Sequence, residues 1–238
     1  MIVLGVDTSA NACSTALVRD DILLGERFAL SGHTHSATLL SMIDELLKAC
    51  GLAIQDIDRF AVTAGPGSFT GVRIGVATVK GLAEVGQKPC AGVSTLEAMA
   101  ALSPDLSGIL CCAMDARRSQ VYAALFDENG RLSPDEALPI AELERRLLQL
   151  NRPVTFFGDG AELCHKTMQQ RPDWGLAPEE VRYQRAYGAI LAAREEDYGP
   201  PALLQATYLR PSQAERVASA IASKEPVGAG ASLAQRSA

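Results

Sequence analysis

Four short runs in this chain carry residues able to do chemistry. Asp7-Thr8-Ser9 closes an apolar run. A carboxylate beside two hydroxyls at a strand end can hold a hydrated magnesium ion and a phosphate, and the same three residue types equally satisfy a turn. Gly65-Pro66-Gly67-Ser68 separates a strand pattern from a helix pattern. Its glycines let backbone N–H groups converge at a helix start, which suits an anion, while Ser68 alone would serve as an ordinary N-cap. No Lys-Ser or Lys-Thr follows, so the Walker arrangement is excluded. Asp115-Ala116-Arg117-Arg118 places an acid and two arginines between two strand patterns, as a salt-bridge cluster or as a surface facing a ligand. Phe157-Gly158-Asp159-Gly160-Ala161 is a second strand–glycine–helix turn, too common in form to identify a phosphate site.

Metal chemistry finds little support. His33 and His35 are two apart, a spacing that diverges on a helix, and His165 is remote in sequence. There is no His-Glu-x-x-His and no Gly-x-Ser-x-Gly. The expectation is a metal-free chain.

The elements that position these runs follow from the apolar pattern. Ile2 to Asp7, Cys13 to Arg19 and Ile22 to Leu30 read as three strands, the last two joined by Asp20-Asp21, and such short links force antiparallel pairing. Leu39, Ile43, Leu46 and Cys50 recur at helical spacing from about Thr34 to Cys50, widened by Leu40 and Leu47. A strand at Phe60–Ala64, a helix from Phe69 to Val85, a strand at Cys90–Val93 and a helix from Ser94 to Leu102 complete the first half. Gly67, Gly71 and Gly75 fall on one face of the second helix, where each interior glycine costs about 1 kcal/mol relative to alanine. A close backbone neighbour is implied, either the chain's own sheet or a partner's helix.

After Ser103–Gly108 the order partly repeats: strands Ile109–Asp115 and Gln120–Phe126, a turn at Asp127–Gly130, a helix Ala141–Leu150, a strand Val154–Phe157 and a helix Glu162–Gln170. The reading is α/β with mixed sheets, in an N-terminal lobe over 1–105 and a C-terminal lobe over 106–211. Residues 212–238, rich in Ala and Ser, are expected to be a frayed tail.

Composition bounds the partners. Of 238 residues, 47% are hydrophobic and 21% charged, which excludes global disorder. A net charge of −6 argues against an unaided grip on nucleic acid, though it is compatible with a local basic patch. The six cysteines, Cys13, Cys50, Cys90, Cys111, Cys112 and Cys164, show no C-x-x-C spacing and read as small buried apolar residues. No apolar run approaches the ~20 residues of a spanning helix, and no membrane contact is expected. The N-terminus reads as a strand and the localisation as cytoplasmic.

The segment from Thr63 to Gly75, Thr-Ala-Gly-Pro-Gly-Ser-Phe-Thr-Gly-Val-Arg-Ile-Gly, resembles the signature of the bacterial TsaB (YeaZ) subfamily of the TsaD-type family. Supporting matches are Asp7-Thr8-Ser9, His35-Ser36, Asp115-Ala116-Arg117 with Val121-Tyr122, Gly158-Asp159-Gly160-Ala161 and Tyr208-Leu209-Arg210. The resemblance implies the actin-like ATPase fold with two ribonuclease-H-like lobes. It also implies a part in forming threonylcarbamoyladenosine beside the anticodon of tRNAs. In that role the chain is a non-catalytic subunit that stabilises or activates TsaD, with the ATPase TsaE joining the pair. It would meet tRNA only within the complex and form a homodimer when alone.

Where the catalytic relative has a metal-binding His-Met-Glu-Gly-His segment, Thr95-Leu96-Glu97-Ala98-Met99 stands here, and neither Thr95 nor Met99 suits a hard metal. The resemblance gives no cofactor of the chain's own and leaves room for ATP or ADP at the junction with TsaD. The nucleotide candidates are Asp7, Thr8, Ser9, Gly65, Gly67 and Ser68. The partner-interface candidates are Leu39, Leu40, Ile43, Leu46, Leu47, Gly71, Arg73, Gly75 and Val76. A bulky charge at Gly75 is expected to disturb pairing more than folding. The alternatives are an ATP-dependent phosphotransferase, which would use Asp7, Ser9 and the glycine turns, and a metallopeptidase, which lacks its histidines.

Overall fold

A computed structural model describes residues 1–30, 34–103, 107–169 and 171–210. The expected lobe boundary at 105/106, the tail over 212–238 and His33 lie outside the described residues.

Strands β1 (Ile2–Asp7), β2 (Cys13–Arg19) and β3 (Ile22–Ala29) form an antiparallel meander. Asp20 and Asp21 both take left-handed φ, the conformation a two-residue hairpin turn needs and one that Asp tolerates better than most residues. Helix α1 (His35–Ala49) follows, then β4 (Arg59–Gly65), α2 (Phe69–Gly86), β5 (Cys90–Ser94) and α3 (Thr95–Ala101). The first sheet has the order β3-β2-β1-β4-β5, with β4 parallel to both β1 and β5. Central β1 is buried from Val3 to Asp7, which is why its sequence runs apolar without alternation.

The second sheet is built from β6 (Ile109–Asp115), β7 (Gln120–Asp127), β8 (Gly130–Arg131), β9 (Glu136–Pro139), β10 (Val154–Phe157) and β11 (Trp174–Leu176). Its order is β11-β10-β6-β7-β8, with β9 also paired to β7. Helices α4 (Ile140–Leu150), α5 (Ala161–Thr167) and α6 (Glu179–Arg182) accompany it. Leu143 and Leu147 of α4 and Cys164 of α5 pack with Phe156 and Trp174 into one core.

On the first sheet, α1 and α2 cover one face: Leu39, Ile43, Leu46, Val72, Val76 and Val79 share a core with Leu4, Val6 and Phe60. Helix α7 (Ala186–Ala192) lies on the other face, its Ala189 and Ala192 packed with Val93 and Ala98. Leu96 and Met99 of α3 join Leu110, Cys112, Met114 and Phe157 of the second sheet, so α3 is wedged between the two sheets.

Residues 186–210 return to the first sheet, where a C-terminal lobe running to 211 had been expected. Gly5 leaves the space into which Ala186 O and the Ile190 side chain fit. Leu204 enters the first core, Arg59 pairs with Glu195, and Thr207 N–H donates to Ala64 O at 2.7 Å. Five of the six cysteines are buried and Cys50 is half-buried, all as free thiols. No helix among the described residues is long and apolar enough to cross a membrane.

Candidate functional site

Four turns and the C-terminal strap converge on a cleft of about 470 Å³ between the sheets. The β1–β2 turn contributes Ser9 to Asn11, the entry to α2 contributes Pro66 to Thr70, and the β6–β7 turn contributes Asp115 to Arg117. Asp159, from the turn after β10, closes the floor, and Thr207 to Arg210 cross the mouth.

Asp7 sits behind the β1–β2 turn and is fully buried. Ser9 N–H and Ser9 Oγ–H both donate to its Oδ1 at 2.8 Å, which locks the turn. Its Oδ2 has no hydrogen-bond partner, nor has Thr63 Oγ1 on neighbouring β4. Burial raises the Asp7 carboxyl from 3.8 to about 6, against the lowering effect of the Ser9 hydrogen bonds. Asp159 is raised by the same cause, and Gln184 Nε2 donates to its Oδ1 at 2.9 Å. Gln184, buried with its Oε1 unpartnered, gives no sequence signal because it belongs to no motif.

The glycines of the α2 entry are spent on packing. A Cβ at Gly67 would run into Ser9 O, one at Gly71 into Thr8 O, and one at Gly75 into Thr8 Oγ1. Thr8 Oγ1–H donates to Gly71 O at 2.8 Å, and Ser68 N–H donates to Ser9 O at 2.7 Å. The close neighbour implied by the glycine stripe is therefore the chain's own Asp7-Thr8-Ser9 turn. Gly65, at φ 120°, similarly accommodates Thr207 O of the strap. Ser68 Oγ caps α2 by accepting from Gly71 N–H. The candidates Asp7, Thr8, Ser9, Gly65, Gly67 and Ser68 are thus brought together, but their contacts are largely with each other. Gly158 and Gly160 likewise admit the backbone of β6, around Ala113, and a side chain at either would collide with it.

The interface candidates divide. Leu39, Ile43, Leu46 and Leu47 point into the first core, and Gly71, Gly75 and Val76 are also buried. They are corrected to core residues, because the apolar stripe of α1 packs on the sheet beneath and the small stripe of α2 packs on the Asp7-Thr8-Ser9 turn. A charge at Gly75 would disturb folding first. Leu40, 57% exposed, and Arg73 remain outside.

At the mouth, Arg117, Arg118 and Ser119 have φ of 65°, 56° and 54°. Three successive non-glycine residues in the left-handed region are costly, at roughly 1 kcal/mol or more each. Arg117 N–H donates to Asp115 Oδ1 at 2.7 Å, and Arg210 Nη1 donates to Ala116 O at 2.9 Å. Across the opening, Arg73 lies 3.9 Å over Phe69, whose ring is 4.8 Å from Tyr208. Arg182 and Arg185 are committed elsewhere: Arg182 Nε donates to Ala177 O, and Arg185 pairs with Glu26 at 2.8 Å.

No group of three or more His, Cys, Asp or Glu side chains among the described residues is placed to hold a metal ion. His35 Nε2 is 2.8 Å from Ala10 O, and Thr95 and Met99 are fully buried.

Comparison with known proteins adds four findings. Residues 29–177 match the family model of TsaD, tRNA N6-adenosine threonylcarbamoyltransferase. The chain is 38% identical over 172 residues to the tRNA threonylcarbamoyladenosine biosynthesis protein TsaB of Bacillus subtilis, covering 71% of this chain and 75% of that one. The corresponding protein of Escherichia coli is 36% identical over 167 residues, covering 67% and 72%. Among solved structures, a Pseudomonas aeruginosa protein described by its similarity to the peptidase YeaZ superposes with a TM-score of 0.73 at 27% identity, covering 88% of this chain and 99% of that one.

Proposed function

The chain belongs to the TsaB (YeaZ) subfamily of the TsaD family and has its actin-like two-lobed fold, and on that premise we propose that it is a non-catalytic subunit for threonylcarbamoyladenosine formation on tRNA. It stabilises and activates the catalytic relative, TsaD. The observation that carries this reading is the state of α3. Where the catalytic relative carries metal-binding histidines, Thr95 and Met99 are buried, and Met99 packs against Leu96, Cys112 and Phe157. A metal cannot reach that place without dismantling the core between the sheets.

The partner surface under this proposal is the outer side of α1 and α2. Leu40, Ser41 and Asp44 of α1 and Arg73, Ala77 and Gly81 of α2 are exposed there. Small residues at Ala77 and Gly81 permit a second pair of helices to approach closely. The same side serves a second copy of the chain when TsaD is absent, and TsaE joins the assembled pair. The chain holds no nucleotide of its own, since its glycine turns are filled by Ser9, Thr207 and Ala113 backbone, and ATP or ADP sits at the junction with TsaD. The assembly works in the cytoplasm.

The test is reconstitution: Leu40→Asp should abolish co-elution with TsaD and the gain in tRNA modification, while leaving the melting temperature of the isolated chain unchanged. Full co-elution of that variant would refute the proposed surface.

A further inference from the structure

The geometry points to the cleft mouth as a contact site for the phosphate backbone of a single-stranded RNA loop, carried by Arg117 and Arg118. This rests on the reading above that the chain works in tRNA modification.

Four observations converge. The two arginines stand exposed at the tip of the β6–β7 hairpin, held there by the left-handed turn. Arg118 has no side-chain partner among the described residues, and the largely exposed Arg117 head group makes only a long ion pair, Nη1 to Asp115 Oδ2 at 4.0 Å. This contrasts with Arg131, Arg146, Arg152 and Arg185, each paired with a carboxylate at 2.8 Å or less. Aromatic rings line the same cleft as Arg117: Tyr122, with Arg210 over it at 5.6 Å, and Tyr208, stacked near Phe69. Interleaved arginine and aromatic side chains suit phosphates and unstacked bases together.

The charge is also layered. Asp115 and Asp159 line the cleft half-buried, whereas Arg117, which also lines it, and the adjoining Arg118 are exposed at the hairpin tip. A free nucleotide whose phosphates entered the cleft would meet those acids. A strand crossing the mouth meets the arginines first, so a polymer fits better. Ser68 to Thr70 open both the cleft and α2, which places RNA beside the proposed TsaD surface. In a chain of net charge −6 the contact is weak alone and counts when a second subunit supplies more phosphate contacts.

The experiment titrates a labelled anticodon stem-loop RNA against the full chain alone at low salt, and against its complex with TsaD. R117E/R118E should weaken RNA binding at least tenfold in both formats and make the log–log salt dependence shallower by about 1 to 1.5, the loss of two phosphate contacts. Co-elution with TsaD should persist. R117G/R118G, which suits the left-handed backbone, should lose RNA affinity while its melting temperature stays equal or rises, a combination a structural role would not give. Unchanged RNA affinity in these variants, or no RNA binding by the wild type in either format, overturns the inference. So does displacement of the RNA by polyglutamate or by ADP as readily as by unlabelled RNA, because the site would then serve an acidic protein or a free nucleotide. Failure of the wild type to pair with TsaD counts against the subunit reading instead, and the titration of the chain alone still decides this one.

Discussion

Asp7 shows how a single residue can be retained against stability. Its carboxyl is raised from 3.8 to about 6 because burial outweighs two hydrogen bonds from Ser9. A carboxyl with a raised folded pKa binds its proton more tightly in the native state, so stability falls as pH rises from about 4 to about 6. Above that window the penalty is complete, on the order of 3 kcal/mol for a shift of about two units. Asp7→Asn should therefore be more stable than wild type by about 2 kcal/mol at pH 7.5, with the gap closing near pH 4. Urea unfolding at the two pH values measures this, and a constant gap would show that the carboxyl is not strained by burial. Asp7-Thr8-Ser9 was visible in the sequence as a chemical run. That Asp7 Oδ2 is buried and left unpartnered was not, because its surroundings are set by the pairing of β1 with β4, more than fifty residues away in sequence.

At the scale of elements, glycine separates into two kinds. Gly71 lies against Thr8 O, whereas Gly81, in the same helix, has open space around its Cβ direction. Gly71→Ala should cost about 2–3 kcal/mol by overpacking, and Gly81→Ala should gain about 0.5–1 kcal/mol of helix stability. Thermal unfolding of the two variants checks the pair, and equal effects would contradict the assigned packing. From sequence the stripe of Gly67, Gly71 and Gly75 announced a close neighbour but not which one, since the turn that fills it lies about sixty residues away. The long periodic elements were legible: α1 and α2, and the meander β1 to β3, fall within a residue or so of their expected limits. Strands β9 and β11 and helix α7 were not. The first two are four and three residues long, and α7, Ala-Tyr-Gly-Ala-Ile-Leu-Ala, uses small side chains for close approach, which leaves no hydrophobic period to detect.

For the molecule as a whole, the strap is what binds the halves. Residues 186–210 leave the second sheet, cross the first and return at Arg210 to the β6–β7 turn. Tyr208→Ala removes the ring packed near Phe69 and the acceptor for Arg73 Nε at 2.9 Å. It should lower the melting temperature by a few degrees, corresponding to about 1–2 kcal/mol, and an unchanged melting curve would show the strap to be loosely held. The sequence motif Tyr208-Leu209-Arg210 was visible, but its crossing of the cleft mouth is a property of the tertiary path alone. Two sheets with a cleft between them, and α3 wedged into their junction, are the frame on which the proposed subunit role rests. The most direct measurement is tRNA modification by purified TsaD and TsaE with and without this chain, alongside the chain by itself with ATP. A product yield that rises when the chain is added, and no tRNA modification or ATP hydrolysis by the chain alone, is the predicted result. Modification or brisk ATP hydrolysis by the isolated chain would contradict it.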